Sequence, residues 1–583
     1  MPESNEQLLH TMKKMLLFPK YTKISGNIKR KDFVFVSTEH KGLPFLFHYS
    51  SEKGKELISD EMPISGPCAL HPEKNMIVFL CDKDANEDYF LYVLDFSHKP
   101  IVKQVVKEPL GNINYLFWLD DESFLVIGFN QESYFIQIIG MSGSIETIYT
   151  TDLQILGASF YREGKIIAIT QDRINSKIVL INIESKEIVE IISKEDGACK
   201  FPVFNENGNL AFITDKQKTN DELIIKSLKD SKKEFRTAVP GFVGTWLFDT
   251  SAMVWTKEGN LLVKIASNAQ AIPRLFDTST NKWLQKLIDG TSGSMTSTSE
   301  GPIFIASNYT QPPTVYKYQN NNLKELFTSG EPLQGIDYEN HLFNSVDGKQ
   351  IQAWYVKKKD NQKDAIYIHG GPNYAEFNSW NPYLLAFVLS GMNIFAINYR
   401  GSTTFGQEFQ NCLYGDMGGK EVQDIVYGAR YLQSITHNLE KPRIFGESYG
   451  GYLTLMAIGL YPEYWHKAVS YVPLVDMVEA YETGNSHYRQ LFSLLMGGTP
   501  SEKPIFYSER SPITYVERVS TPTKIFHGVN DPRCPIKPVK EYYQKAQQLN
   551  VPVELEILHE EGHGTIVEEK IIRSYLEGIK FLE

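Results

Sequence analysis

Cysteine is scarce in these 583 residues. There are five, Cys68, Cys81, Cys199, Cys412 and Cys534, an odd number with no CxxC spacing among them. That excludes a disulfide framework and a paired-cysteine zinc site, and it points to a reducing compartment. Excess positive charge is lacking as well: 59 Lys and Arg stand against 70 Asp and Glu, a net charge of −11. No broad basic field exists to hold a phosphate backbone or an anionic membrane, so neither nucleic acid nor a membrane is an expected partner. Long hydrophobic runs are missing too. The apolar run at 15–18 falls short of a signal-peptide core, which takes about 7 to 15 residues. The longest one, 384–397, is broken by Ser390, Gly391 and Asn393 and is too short to span a bilayer. The expectation is a soluble, cytoplasmic protein.

What is present suffices for several cores: 42% hydrophobic residues, with length for three to four units of about 150 residues. Leu8, Leu9, Met12, Met15 and Leu16 recur at helical spacing behind Ser4 and Gln7, which are placed as a capping box, and Pro19 follows. The spacing predicts an amphipathic helix over 4–18. From about 21 to 328 the text turns to short aromatic and β-branched runs broken by Gly, Asn, Asp and Lys. Similar units recur there, each a strand-like run, a polar turn and a second run. Their first runs begin near Phe33, Ile77, Phe124, Ile166, Leu210, Met253 and Ile303, in steps of 42 to 50 residues. Seven such units predict a seven-bladed β-propeller, since a four-stranded blade buries its faces only against its neighbours. Two β-sandwiches are the competing reading.

Beyond about 328 the pattern alternates. Near-continuous apolar runs at 365–368, 393–398, 443–445, 468–472, 523–527 and 554–558 read as strands buried on both faces, and 421–433, 449–461 and 539–550 read as helices. This predicts an α/β-hydrolase-like, doubly wound, mostly parallel sheet, with its active groups at the carboxyl ends of the strands. The domains expected are an amino-terminal helical segment over 1–20, a propeller over 21–328 and a catalytic domain over 329–583.

Gly446-Glu447-Ser448-Tyr449-Gly450 is a GxSxG motif lying between a strand and a helix. Chance supplies about 0.2 such patterns in a chain of this length, so the context carries the assignment. There the serine occupies a strained strand-to-helix turn that exposes its hydroxyl. A serine needs a base, and the base an orienting acid, in the order Ser, Asp or Glu, His. Asp531, after the strand at 523–527, is the preferred acid, with Asp476 as the rival. His563, in the glycine-flanked loop 560–564, is the preferred base, with His559 as the alternative; His527 and His369 read as structural. The oxyanion would be held by the backbone amide of Tyr449 and one from His369-Gly370-Gly371-Pro372, with Gly371 first and Gly370 second.

HGGP at 369–372, NYRGSTTFG at 398–406, GDMGGKEVQD at 415–424, GESYGGY at 446–452, HGVNDPRCP at 527–535 and EEGHG at 560–564 stand in one order. Together they resemble the prolyl oligopeptidase family of serine peptidases, nearest its acylaminoacyl-peptidase branch. The motifs span the last 250 residues or so; the propeller matches by unit length and position. The resemblance implies a Ser448, Asp531 and His563 triad, Tyr449 and Gly371 as oxyanion donors, and no metal or other cofactor. It further implies that the amino-terminal helix packs on the hydrolase domain, that the propeller covers the site, and that Arg533, two residues after the aspartate, holds the carbonyl preceding the scissile residue. Dipeptidyl aminopeptidases of the family grip a free amino terminus with adjacent propeller glutamates, and residues 1–328 contain no Glu-Glu pair. The expected activity is hydrolysis of short, amino-terminally blocked peptides through an acyl-enzyme; a homo-oligomer is compatible with the sequence. The alternatives are a carboxylesterase with weak peptidase activity and a propeller interaction protein with an inactive hydrolase domain.

Overall fold

The computed structural model describes all residues except 1–9, 11, 12, 14, 16–19, 83–85, 174, 194–196, 216–220, 231, 232, 246–250, 285 and 565–567, and only the backbone of 568, 569 and 571. The helix expected over 4–18 lies, apart from His10, Lys13 and Met15, outside the described residues. The chain divides into two compact units that part between Glu331 and Pro332.

The first unit is seven sheets in a row along the chain, six of four strands and one of five. Each blade is made of consecutive strands, from Tyr21–Gly26 through Gly54–Ser59 in the first to Thr291–Thr298 through Asn322–Thr328 in the last. Apolar layers join neighbouring blades: Leu80 and Val93 of the second pack with Trp118, Val126 and Phe135 of the third. The ring closes by the same means. Phe33, Phe35 and Phe45 of the first blade share a cluster with Ile303, Ile305 and Val315 of the last, and the Gly26 amide donates to Thr296 Oγ1 at 2.9 Å.

One expectation needs correcting. Six of the seven runs taken as first in their units are second strands, such as Phe33–Ser37 and Ser123–Phe129. Those strands are buried almost throughout, so they read as solid apolar text. The first strands, such as Tyr21–Gly26, alternate buried and partly exposed residues and carry no such signal. Met253–Trp255 is the exception, a short first-position strand pairing with Leu261–Ser267.

The second unit holds an eight-stranded sheet: β1 (Ile336–Asn344), β2 (Gln350–Lys358), β3 (Lys363–Ile368), β4 (Met392–Asn398), β5 (Arg443–Glu447), β6 (Ala468–Tyr471), β7 (Thr523–Gly528) and β8 (Val553–Leu558). Its order is β1-β2-β4-β3-β5-β6-β7-β8, parallel from β4 to β8, with β1 and β2 antiparallel at one edge. Both faces are covered, which accounts for the apolar strands. On one side Ile366, Ile397, Ile444 and Ile525 pack with helices Lys420–Thr436, Tyr449–Leu460 and Ile536–Gln548. On the other, rings stack from the sheet onto helices Pro382–Leu389 and Glu568–Leu582: Phe445 on Phe387 at 4.1 Å and Tyr471 on Tyr575 at 4.8 Å between centroids. The turns after β3, β5, β7 and β8 therefore open at one end of the sheet, where a doubly wound fold places its chemistry.

Candidate active site

Ser448 is the first residue after β5 and the cap of helix Tyr449–Leu460, with φ +58° and ψ −119°. Its amide donates to the Tyr471 carbonyl and its own carbonyl accepts from the Tyr452 amide, both at 2.9 Å. Glycine is required beside it. A Cβ at Gly450 would stand 2.0 Å from the Ile368 carbonyl oxygen, and one at Gly446 would stand 2.5 Å from that of Gly450.

The structure brings Ser448, His563 and Asp531 together. His563 Nε2 is 2.9 Å from Ser448 Oγ, and Nδ1 is 2.8 and 2.9 Å from the two Asp531 carboxylate oxygens. The partners fix the tautomer: Nδ1–H donates to the carboxylate, leaving Nε2 to accept the serine proton. Asp531 Oδ1 also accepts from the amides of Arg533 and Cys534, each at 2.9 Å. Burial opposes ionisation of Asp531, but the charge and hydrogen bond of His563, with the charge of His527 and the Cys534 amide, hold its carboxyl below the usual range. The carboxylate is thus an oriented anion.

Asp476 and His559 stand outside this hydrogen-bonded chain. Asp476 caps helix Met477–Thr483, accepting from the Val478 and Glu479 amides. His559 is exposed at the head of the loop. His527 and His369 are buried, and each Nδ1 donates to the carbonyl of the next residue, Gly528 at 3.0 Å and Gly370 at 2.6 Å. Burial lowers the pKa of His369 to about 4, so it stays neutral; it stacks on Tyr399 at 4.4 Å, and its Nε2 lies 2.8 Å from Ser402 Oγ, whose hydroxyl donates to the Tyr399 carbonyl at 2.7 Å. These contacts tie the 369–371 turn to the loop after β4. The turn reaches the nucleophile at Gly370, whose Cβ would lie 3.5 Å from that of Ser448. Gly371 follows with φ +132°. The Tyr449 amide, in the first turn of its helix, has no intrahelical acceptor. Arg533 is exposed.

Two buried networks around the site were not singled out from sequence, although Glu421, Arg400 and Asp424 lie inside quoted motifs. Glu421 is fully buried; it accepts the Tyr449 hydroxyl at 2.9 Å and the amides of Gly418 and Gly419. Burial outweighs these donors and raises its carboxyl to about 7. Arg400, 2% exposed, holds Asp424 through Nε at 2.9 Å and Nη2 at 2.7 Å, and Asp347 through Nη1 at 2.9 Å. Single carboxylates and arginines on a sequence do not announce whether they meet.

Among the described residues, no helix is long and apolar enough to cross a membrane. The model of the prolyl oligopeptidase N-terminal beta-propeller domain matches residues 2–329, and that of the prolyl oligopeptidase family matches 375–583. Dipeptidyl-peptidase 5 of Schizosaccharomyces pombe is 29% identical over 293 residues, covering 47% of this chain and 42% of that protein. The acylamino-acid-releasing enzyme of Rattus norvegicus is 26% identical over 274 residues, covering 43% and 37%. The matched part thus spans less than half the length of these curated relatives. Among solved structures, a puromycin-hydrolyzing peptidase of Mycobacterium tuberculosis shares the fold with a TM-score of 0.85 at 15% identity, over 98% of this chain and 95% of that one. Matched by family models across both its propeller and its catalytic sheet, the chain belongs to the prolyl oligopeptidase family.

Proposed function

We propose that the protein is a serine peptidase that hydrolyses short peptides, preferring acylated amino termini, through an acyl-enzyme on Ser448. The observation that carries this reading is the hydrogen-bonded chain Ser448 Oγ to His563 Nε2 and His563 Nδ1 to Asp531, at 2.9 and 2.8 Å. His563 takes the serine proton as Oγ attacks the carbonyl, then gives it to the leaving amine; water repeats the sequence to release the acid. Asp531 orients the imidazole and balances its transient charge. The backbone amides of Tyr449 and Gly371 hold the oxyanion, and the Arg533 guanidinium holds the carbonyl one residue earlier in the peptide. Reaction in the cytoplasm is part of the same proposal, supported by the scarce cysteine.

The blocked-terminus preference is supported by the acylamino-acid-releasing relative and by the lack of a Glu-Glu pair in residues 1–328. The dipeptidyl-peptidase relative makes the opposite substrate the control. The test is kcat/KM on an acyl-amino acid anilide, an unblocked dipeptidyl anilide and an aryl ester, with fluorophosphonate labelling of wild type and Ser448→Ala. Labelling of the wild type alone and preference for the blocked anilide are expected. Labelling that survives Ser448→Ala would overturn the nucleophile, preference for the dipeptidyl anilide the blocked terminus, and ester cleavage without anilide cleavage the peptidase reading.

A further inference from the structure

Cys534 takes no part in the proposed acyl transfer, yet it stands against its machinery. The residue is 2% exposed, stands three residues beyond Asp531, and its backbone amide donates a hydrogen bond to Asp531 Oδ1 at 2.9 Å. Its Sγ, a carboxylate oxygen of Asp531 and a ring nitrogen of His563 all lie within 4.8 Å of one another. Thiolate, imidazole and carboxylate are the ligand types of tetrahedral zinc, whose bond lengths set neighbouring ligand atoms roughly 3.5 Å apart. Small side-chain rotations close that difference. Of the two ring nitrogens, Nδ1 faces Asp531 at 2.8 Å, so a cation inserted there needs only a slight widening of the gap.

We propose that Cys534, Asp531 and His563 form an inhibitory site for a soft divalent cation such as zinc, bound in place of the hydrogen bond between His563 and Asp531. Binding forms bonds from the cation to Cys534 Sγ, His563 Nδ1 and one Asp531 oxygen, with water in the fourth position. The thiol proton leaves to solvent, and the Nδ1 proton is replaced by one on Nε2, so the imidazole stays neutral and no electron moves. Nε2 then donates toward Ser448 Oγ instead of accepting from it, and the serine loses its base. Magnesium and calcium, which take more oxygen ligands and no thiolate, do not suit the site. The cation site rests on the three side chains alone; its effect on turnover rests on the triad reading above.

The test uses the full chain stripped of metal by a chelator, as wild type, Cys534→Ala and Cys534→Ser, each checked for folding by circular dichroism. Zinc or cadmium ions are titrated against turnover of the best substrate, and cadmium binding is read by the ultraviolet charge-transfer band of its thiolate bond. In the wild type, one equivalent of either cation should abolish turnover, EDTA should restore it, and magnesium should do nothing. Both variants should keep basal turnover, lose one thiolate's share of the band, and need more than about tenfold more metal, the loss that outer-shell changes alone already cause at metal sites. Inhibition of the variants at the wild-type concentration would overturn the proposal, as would a band unaltered by replacing Cys534. A normal band with full turnover would remove the inhibitory role. Should no substrate be turned over at all, the band still decides the cation site, separately from the peptidase reading.

Discussion

Ser448 holds a backbone conformation that costs an L-residue on the order of 1–3 kcal/mol, and the surrounding hydrogen bonds maintain it. Ser448→Ala should therefore leave the fold intact and cut turnover by roughly 10⁶, as loss of a triad nucleophile does; retained activity in single-turnover kinetics would contradict the assignment. Asp531→Asn should cost about 10⁴ in kcat by disturbing the imidazole's tautomer. Asp476→Asn is the contrasting variant, because that carboxylate caps a helix and its loss should register within about 1 kcal/mol of stability rather than in kcat. Arg533 is tested by comparing substrates. A charged donor to a neutral carbonyl is worth about 1.5–3 kcal/mol, so Arg533→Ala should lower kcat/KM for acyl-peptides roughly 10- to 200-fold and leave aryl ester hydrolysis little changed. Equal losses on both would reassign Arg533 to stabilising its own loop.

At the scale of elements, a buried carboxyl, Glu421, ties the start of helix Lys420–Thr436 to the start of helix Tyr449–Leu460 by accepting the Tyr449 hydroxyl. Glu421 has a pKa of about 7 in the fold against a usual value near 4.5, because burial disfavours its charge. The folded state thus holds this proton more tightly than the unfolded chain. Below both values the group costs nothing, and as pH rises through the window from 4.5 to 7 the native state loses stability, on the order of 3 kcal/mol when complete. Glu421→Gln should remove that slope. The check is denaturant unfolding of both proteins at pH 5 and pH 8: the gap between them should shift in favour of the variant at the higher pH, and a constant gap would show that Glu421 is ionised throughout.

For the molecule as a whole, the two units have separate cores, and the propeller closes by packing rather than by sharing a strand between its ends. Calorimetry should then resolve the units. Phe35, fully buried at the seam and 5.1 Å from the Phe327 ring, offers a probe that belongs to the propeller alone. Phe35→Ala should cost about 3–5 kcal/mol, lowering the propeller's transition and leaving the other in place. Movement of both transitions together would mean that the chain unfolds as one cooperative body.

The sequence by itself determined what depends on local order along the chain. Repeating apolar runs 42 to 50 residues apart marked seven units because six of them are second strands buried almost throughout, and unbroken apolar runs marked the parallel strands because helices cover both sheet faces. The serine was legible because its turn demands flanking glycines, whose absent Cβ atoms leave room for carbonyls 2.0 and 2.5 Å away. The first blade strands and the antiparallel β1 were not, since half-exposed strands mix polar with apolar residues. The sequence preferred Asp531 to Asp476 and His563 to His559 without showing any contact; tertiary structure puts the preferred pair in hydrogen-bonding reach of each other and of Ser448. Strand order already favoured Asp531 in the sequence, and in the structure Asp476 is occupied as a helix cap. Tertiary structure alone put Glu421 under Tyr449, Arg400 on Asp424 and Cys534 beside the imidazole. Contacts between residues up to 115 positions apart, as Ser448 and His563 are, arise from how strands and helices pack, and no local pattern encodes them.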